Sequence, residues 1–488
     1  MEDGQSKIHL LEKVYYEGCP GCKIEKRKDT QEEIPWKTLI SIWIIVLCNA
    51  LPISSLFPFL YFMIRDFHIA EREEDVGYYA GFVGSAFMLG RALTSIFWGM
   101  LADRYGRKPI IIIGTIAVVI FNTMFGLSVN FWMAISARFL LGSLCGLLGP
   151  AKAYISEICR EEHQAVGMSM ITSAWGIGLI IGPALGGLLA QPAEKYPHIF
   201  SKESLFGRFP YLLPCLFISI FATIVTISAF WLPESLHMHK SKNTPGDESY
   251  EELEAASRKT CEESIGIEDK ERGVNPEKSL YKNWPLISSI IVYCVFSLHD
   301  MAYTEIFSLW AVSPRKIGGL SYSSEAVGVI LSITGFGMLI NQLFLYPSFS
   351  RYLGPVMVTR ICGVLAIPVL QSYPFIALLS GLSLSILLNS ASAIKNCLSM
   401  CIITSTFILQ NRAVEQHQRG AANGISMTFM SLFKAIGPAC GGALLSWSET
   451  RQDVAFLPST HMVFTLLNVV EIVGVLLTLK PFLVERKN

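Results

Sequence analysis

The sequence predicts an all-α membrane protein, with twelve transmembrane helices in two pseudo-symmetric six-helix halves. Composition is the first reason. The 488 residues are 51% hydrophobic and 16% charged, where soluble proteins carry about 25% charged residues. Twelve helices of about 20 apolar residues need roughly 240, about half of this chain. The second reason is pattern: long apolar runs alternate with short polar turns. The third is an internal repeat. Gly167-Met168-Ser169-Met170 leads to Gly182-Pro183-Ala184-Leu185-Gly186-Gly187, and Gly424-Ile425-Ser426-Met427 leads to Gly437-Pro438-Ala439-Cys440-Gly441-Gly442. His163-Gln164 and His417-Gln418 precede the two copies. The fifth helix therefore corresponds to the eleventh.

The elements follow in order. Residues 1–36 are polar and Lys-rich, with no apolar core before Trp36. They are expected to form a cytosolic tail rather than a secretory signal, leaving the first span to act as the targeting signal. Spans 1 to 6 are expected at 37–64, 77–101, 109–128, 131–154, 166–190 and 209–232, within an N-terminal half of 37–232. The stretch 233–283 is rich in Glu and Lys and poor in large apolar residues, which predicts a mostly disordered cytosolic linker. Spans 7 to 12 are expected at 284–312, 323–346, 353–373, 376–410, 421–447 and 460–480, within a C-terminal half of 284–482. Residues 483–488 form the closing tail. Between spans 9 and 10 the chain turns either at Tyr373-Pro374 or near Asn389.

Twelve spans put both termini on one side. Lys23, Lys26, Arg27 and Lys28 precede span 1, Arg104, Arg107 and Lys108 follow span 2, and Arg486 and Lys487 end the chain. All fall on one face, which the positive-inside rule makes cytosolic. The opposite loop Glu71-Arg72-Glu73-Glu74-Asp75 is mostly acidic. The formal net charge is zero, which argues against a nucleic-acid partner. The 12 cysteines are scattered, many within apolar helices, and read as small buried hydrophobes.

The turn after span 2 is the most constrained stretch. Trp98-Gly99-Met100-Leu101-Ala102-Asp103-Arg104-Tyr105-Gly106-Arg107-Lys108-Pro109 gathers four charges and two glycines between two membrane helices. It resembles the cytosolic loop between helices 2 and 3 of major facilitator superfamily transporters. Gly99 and Gly106 permit close approach and a tight turn. Asp103 is expected to face the positive end of a helix of the other half, span 11, and Arg107 and Lys108 to meet acids at the cytosolic surface. A carboxylate at a helix N-terminus contributes about 0.3–1 kcal/mol when exposed and up to ~2 when partly buried, enough to bias two conformations. The other reading is a basic membrane-side anchor. The matching turn, Phe349-Ser350-Arg351-Tyr352-Leu353-Gly354, lacks the acid.

Span 5 carries Ser169-x8-Gly178-x3-Gly182-Pro183-x2-Gly186-Gly187. Proline inside the helix removes one backbone bond, and the glycines let a neighbour approach. The spacing resembles the antiporter motif of twelve-span drug:proton antiporters, a resemblance that implies exchange rather than symport. Close packing alone is the other reading.

Charges inside spans are costly and face a partner or a cavity. Arg91, Arg138, His299, Asp300, Glu305, Lys395, Lys434 and Glu471 fall within spans. Arg138, in Ala137-Arg138-Phe139-Leu140-Leu141-Gly142, resembles the R-x-x-x-G motif linked to proton transfer. Asp300 and Glu305 point about 140° apart on an ideal helix. One is expected to carry the proton and the other to pair with Lys395 or touch substrate; Glu471 is expected to be structural. A structural ion pair is the alternative for each. Span 1 carries no acid before Asp66, so coupling must use another helix.

Cys19-Pro20-Gly21-Cys22 lies in the first tail, and His237 and His239 follow span 6. Two thiolates grip one edge of a zinc ion, and the two histidines would complete the four ligands of a closed regulatory site. A dithiol with another role is the alternative.

C-P-G-C at 19–22, W-G-x3-D-R-x-G-R-K at 98–108, the span-5 motif and P-E-S-L-H at 233–237 occur together. The combination resembles the plant zinc-induced facilitator-like transporters, a branch of the major facilitator superfamily, over nearly the whole chain. The resemblance implies proton-coupled antiport of small organic metal chelators, such as nicotianamine or phytosiderophores, or of organic anions out of the cytosol. It implies a role in zinc and iron homeostasis and a vacuolar or, alternatively, plasma membrane. Some relatives are linked to potassium or auxin movement, and a non-transporting zinc or ligand receptor is the rival from another class. The expected partners are a small-molecule substrate, protons and the lipid bilayer; the chain is expected to be a monomer without a bound organic cofactor. No nucleophile–base constellation or phosphate-binding loop suggests an enzyme.

Overall fold

A computed structural model describes residues 15–16, 19–30, 33–236, 282–414, 419–450 and 460–484. Among them every regular element is helical. Nine helical stretches of the described residues are long and apolar enough to cross a membrane. One of these, Ser324–Ile376, holds two helices that meet at Gly354, whose φ of 73° breaks the run. Gly106, with φ 107°, makes the corresponding turn between Val76–Tyr105 and Arg107–Ala117. The two six-helix halves thus share their tightest turn.

Several spans depart from the expected continuous helices. Span 1 forms Trp36–Ser54 and then Leu60–Asp66. Pro58 has no N–H with which to continue the ladder and pushes the residue before it out of the helical region, so the run breaks at 55–59. Span 4 divides into Phe131–Leu144 and Leu148–Ile158. The Trp98 indole lies where a side chain at Gly146 would sit, so the break is where span 2 presses into span 4. Span 3 contains a π-turn, Val118–Asn122, and Asn122 Nδ2 donates to the Cys215 carbonyl at 2.9 Å. Spans 9 and 10 turn at 377–380, just after Pro374, and span 10 runs Gly381–Ala413.

Repeated glycines set the relation between the halves. Within the N-terminal half, Gly182 and Gly186 of span 5 lie against Ser54 and Ser55 of span 1; within the C-terminal half, Gly437 and Gly441 of span 11 lie against Met301 and Ala302 of span 7. Between the halves, a Cβ on Gly187 would stand 2.9 Å from the Gly328 Cα, and one on Gly442 would stand 3.0 Å from the Gly81 Cα. Spans 5 and 8 and spans 2 and 11 therefore form two equivalent seams. Both lie toward the end of the bundle that carries the acidic loop 71–75. Toward the other end, Gly99 of span 2 and Gly424 of span 11 have no neighbouring atom within 4 Å of a Cβ position. The same helix pair touches at one end and diverges at the other.

Apolar burial follows this V. One core joins both halves near the acidic loop, including Tyr61, Val76 and Phe131 with Tyr303, Trp310 and Phe464. Toward the Gly106 end one core, with Leu39, Ile111 and Tyr154, belongs mainly to the N-terminal half and takes in Ala435 of span 11, and another, with Val292, Val358 and Ile402, belongs to the C-terminal half.

Candidate functional site

Three intramembrane ionisable groups near the apex of the V separate into two arrangements. Lys395 is fully buried, and its Nζ lies 3.2 Å from Asp300 Oδ1 and 3.6 Å from the centre of the Tyr303 ring. The Tyr303 and Tyr373 hydroxyls are 2.6 Å apart, and Phe307, Trp310 and Phe464 stack around them. The aromatic wall holds the lysine by cation–π attraction as well as by charge. Lys434 lies within electrostatic reach of Asp300, and Arg91 within reach of Lys434 and of Lys152. All three are half-buried. Lys152 also reaches across the halves to the Phe407 ring at 5.9 Å. Four cations and one carboxylate give this region a positive balance suited to a ligand with several carboxylates.

Glu305, on the opposite side of span 7, is 1% exposed, and among the described residues neither of its oxygens has a hydrogen-bond partner. It sits in the seam between spans 2 and 11: a Cβ on Gly84 would stand 2.9 Å from Glu305 Oε2 and 3.1 Å from the Pro438 Cβ. Arg138 is its nearest cation of electrostatic consequence. Arg138 donates from Nη1 to the Pro52 carbonyl at 2.9 Å and lies between the Phe87 and Phe125 rings at 5.2 and 5.3 Å. The broken end of span 1 leaves carbonyls without helical donors, and the guanidinium meets one of them. His299 and Glu471 form a separate buried pair at 3.0 Å. Asp66 accepts from the Tyr211 hydroxyl, away from this region.

The Gly106 turn is bound by a segment that the sequence reading treats as linker. Glu234 accepts from the backbone N–H of Arg107 at 2.9 Å and of Lys108 at 3.1 Å, capping span 3 with a carboxylate. Arg107 Nη2 donates to Glu157 Oε1 at 3.0 Å, and Ser235 Oγ donates to Glu157 Oε2 at 2.5 Å. The Tyr154 hydroxyl donates to the Pro233 carbonyl at 2.7 Å. Lys108 Nζ donates to the Phe230 carbonyl at 2.7 Å rather than to the expected acid. Arg104 is exposed beside the Tyr105 ring. Gly99 admits no close neighbour, since spans 2 and 11 have parted there. The side chains of Asp103 and Ser169 lie outside the described residues. Gly178 packs on Ala50, and its carbonyl accepts from Ser54 Oγ at 2.8 Å.

Cys19 and Cys22 are buried at the start of the helix Pro20–Thr30, where the Cys19 carbonyl accepts from the Lys23 N–H at 3.1 Å. Arg160 Nε donates to the Lys28 carbonyl at 2.7 Å and ties this helix to the end of span 4. His237 and His239 lie outside the described residues. Among the described residues no three metal-ligating side chains come together. Two sulfurs alone do not close a zinc site.

Comparisons with known proteins agree with this architecture. Residues 42–438 match the family model described as Major Facilitator Superfamily. The chain is 62% identical over 483 residues to Zinc Induced Facilitator 1 of Arabidopsis thaliana, covering 99% of each protein. It is 62% identical over 479 residues to Zinc Induced Facilitator-Like 1 of Arabidopsis thaliana, covering 98% of each. Among solved structures, a D-xylose–proton symporter aligns over 92% of this chain and 98% of its own, with a TM-score of 0.69 and 12% identity. At that identity the likeness is one of fold.

Proposed function

Because the chain belongs to the zinc-induced facilitator branch of the major facilitator superfamily, whose members are transporters and not enzymes, we propose that it is a proton-coupled antiporter. Its cargo is a small organic metal chelator or organic anion, of the nicotianamine or phytosiderophore kind, exported from the cytosol into the vacuole. Both termini and the Gly106 end face the cytosol, where the basic residues gather. The V then opens to the cytosol.

The observation that carries this reading is the unequal treatment of two acids on one helix. Asp300 is paired with Lys395, whereas Glu305 is buried in the seam without a hydrogen-bond partner. A buried carboxyl of that kind rests at lower cost as the neutral acid. Glu305 takes up a proton as cargo leaves on the acidic side, and the seam closes over the neutral form. Arg138 supplies the opposite bias, favouring the carboxylate once the cytosolic cavity admits water. Cargo carboxylates compete with Asp300 for Lys395 and engage Arg91, Lys152 and Lys434. Cargo and proton thus occupy neighbouring sites in alternation.

Purified protein in proteoliposomes with an imposed pH gradient, using radiolabelled nicotianamine as the probe, tests the assignment. Glu305→Gln is expected to abolish gradient-driven accumulation while retaining exchange of labelled for unlabelled probe. Asp300→Asn is expected to weaken both. Gradient-driven accumulation that survives in Glu305→Gln would overturn the role given to that residue.

A further inference from the structure

The seam between spans 2 and 11 contains a second buried carboxyl, at its outermost end. Glu449 closes the helix Arg419–Glu449 and is 2% exposed. Among the described residues its Oε1 has no hydrogen-bond partner. Two other buried polar atoms nearby also lack partners: the Tyr61 hydroxyl, on the second piece of span 1, and Ser446 Oγ, one turn before Glu449. Ser446 Oγ would stand 3.0 Å from a Cβ on Gly77, at the first turn of span 2. Tyr61 lies within electrostatic reach of Glu449, Glu73 and Arg65, and Glu449 within reach of Glu73 and Glu74. Ser313, at the end of span 7, bonds the Glu449 carboxyl. The short turn Glu73–Asp75 packs against span 11 above them. These groups come from both halves, so they meet only when the outer gate is shut.

As a carboxylate, Glu449 would bring a charge out of water into an apolar seam beside two like charges, with no donor for Oε1. Both terms oppose closure. As the neutral acid it loses the repulsion and gains an O–H donor. The Tyr61 and Ser446 hydroxyls each offer lone pairs to accept it. One proton therefore answers Glu449 Oε1 and whichever of the two hydroxyls accepts it.

We propose that Glu449 is a proton-binding site of the outer gate, separate from Glu305, and that acidity on the non-cytosolic side licenses the gate to shut. The sidedness rests on the antiporter reading above; the link between protonation and closure does not. The need for a proton at Glu449 after cargo release would keep the carrier from closing in a neutral compartment.

The second seam has its own titratable crossing, with the opposite sign. Lys195 Nζ donates to Ser324 Oγ at 2.8 Å and to the Gly187 carbonyl. Burial pushes the Lys195 ammonium down to about 8, with Glu325 and Glu194 opposing. Its value in the shut gate lies below that of an exposed lysine, so it favours closure only as pH rises past about 8. Below about pH 7 it is a cation in both states and adds no pH dependence.

Hydrogen–deuterium exchange of the full chain in lipid nanodiscs reads the gate without any cargo. Peptides covering 61–80 and 438–449 are compared at about pH 5 and about pH 7, after correction for intrinsic exchange, a window that spans a perturbed carboxyl. The natural chain is expected to lose about tenfold in protection over that window, and Glu449→Gln to lose only the smaller share that Glu305 contributes. Tyr61→Phe removes one acceptor and is expected to move the loss of protection to lower pH, which serves if Glu449→Gln does not fold. Glu305→Gln is expected to keep most of the gate's pH response while losing proton-driven transport, so the two assignments fail separately. A response unchanged in Glu449→Gln or in Tyr61→Phe overturns the proposal. So does a natural chain with no response, or a response abolished by Glu305→Gln instead.

Discussion

Arg138 shows how one residue joins a helix break to the charge balance of the site. Its guanidinium meets the Pro52 carbonyl and two aromatic faces while remaining the cation nearest Glu305. A lysine offers one compact ammonium and cannot bridge these contacts in the same plane. Arg138→Lys is therefore expected to cost about 1–3 kcal/mol by leaving a buried carbonyl poorly satisfied. The loss is read as a lower thermal unfolding midpoint in detergent, with Leu140→Ala, on the lipid-facing side of the same helix, as the control. The intramembrane charge was legible in the sequence because arginine in an apolar run is rare. Its partner was not, because Pro52 O lacks a helical donor where the first piece of span 1 ends at Ser54, and a hydropathy pattern reads straight through that break. The angular offset of Asp300 and Glu305 was legible too. That each faces a different helix pair depends on where spans 2, 10 and 11 pack, which spacing along span 7 does not contain.

At the scale of elements, the Gly106 turn and the chain leaving span 6 act as one unit. Gly106 needs a positive φ, and the Glu234 carboxylate occupies the place where a side chain would sit. Glu234→Ala removes the cap of span 3, an expected loss of about 0.5–2 kcal/mol. Gly106→Ala adds strain of about 1–3 kcal/mol and a collision with that carboxylate. Combining the two substitutions removes the collision, so their costs are expected to add to less than the sum. Unfolding midpoints of the two single variants and the double variant measure the coupling; strict additivity would mean that Glu234 does not hold the turn. The motif at 98–108 marked this turn as constrained, since glycine between two runs of charge has few other uses. Its partner at 233–236 read as linker because a Pro-Glu-Ser sequence has no apolar periodicity. Its order comes from backbone N–H groups elsewhere, which no local pattern reveals.

At the scale of the whole molecule, the repeat already visible in the sequence becomes two seams whose closeness depends on glycine. Gly187 meets Gly328 and Gly442 meets Gly81 at nearly the same approach, 2.9 and 3.0 Å from a Cβ to the facing Cα. A side chain at either position forces the outer ends of the halves apart while leaving each half's own core, and hence its fold, in place. Overpacking costs about 1–3 kcal/mol. Spent on one conformer only, that shifts a two-state balance by about 5–150-fold. Gly187→Val and Gly442→Val are each expected to populate the form open at the acidic-loop end. The signature is faster hydrogen exchange at 61–80 and 438–449 together with slower exchange near Gly99 and Gly424, where the halves would now meet. Because the seams are equivalent, the two variants should give the same reciprocal pattern. Faster exchange at both ends would instead indicate loosened halves and no rocking between them.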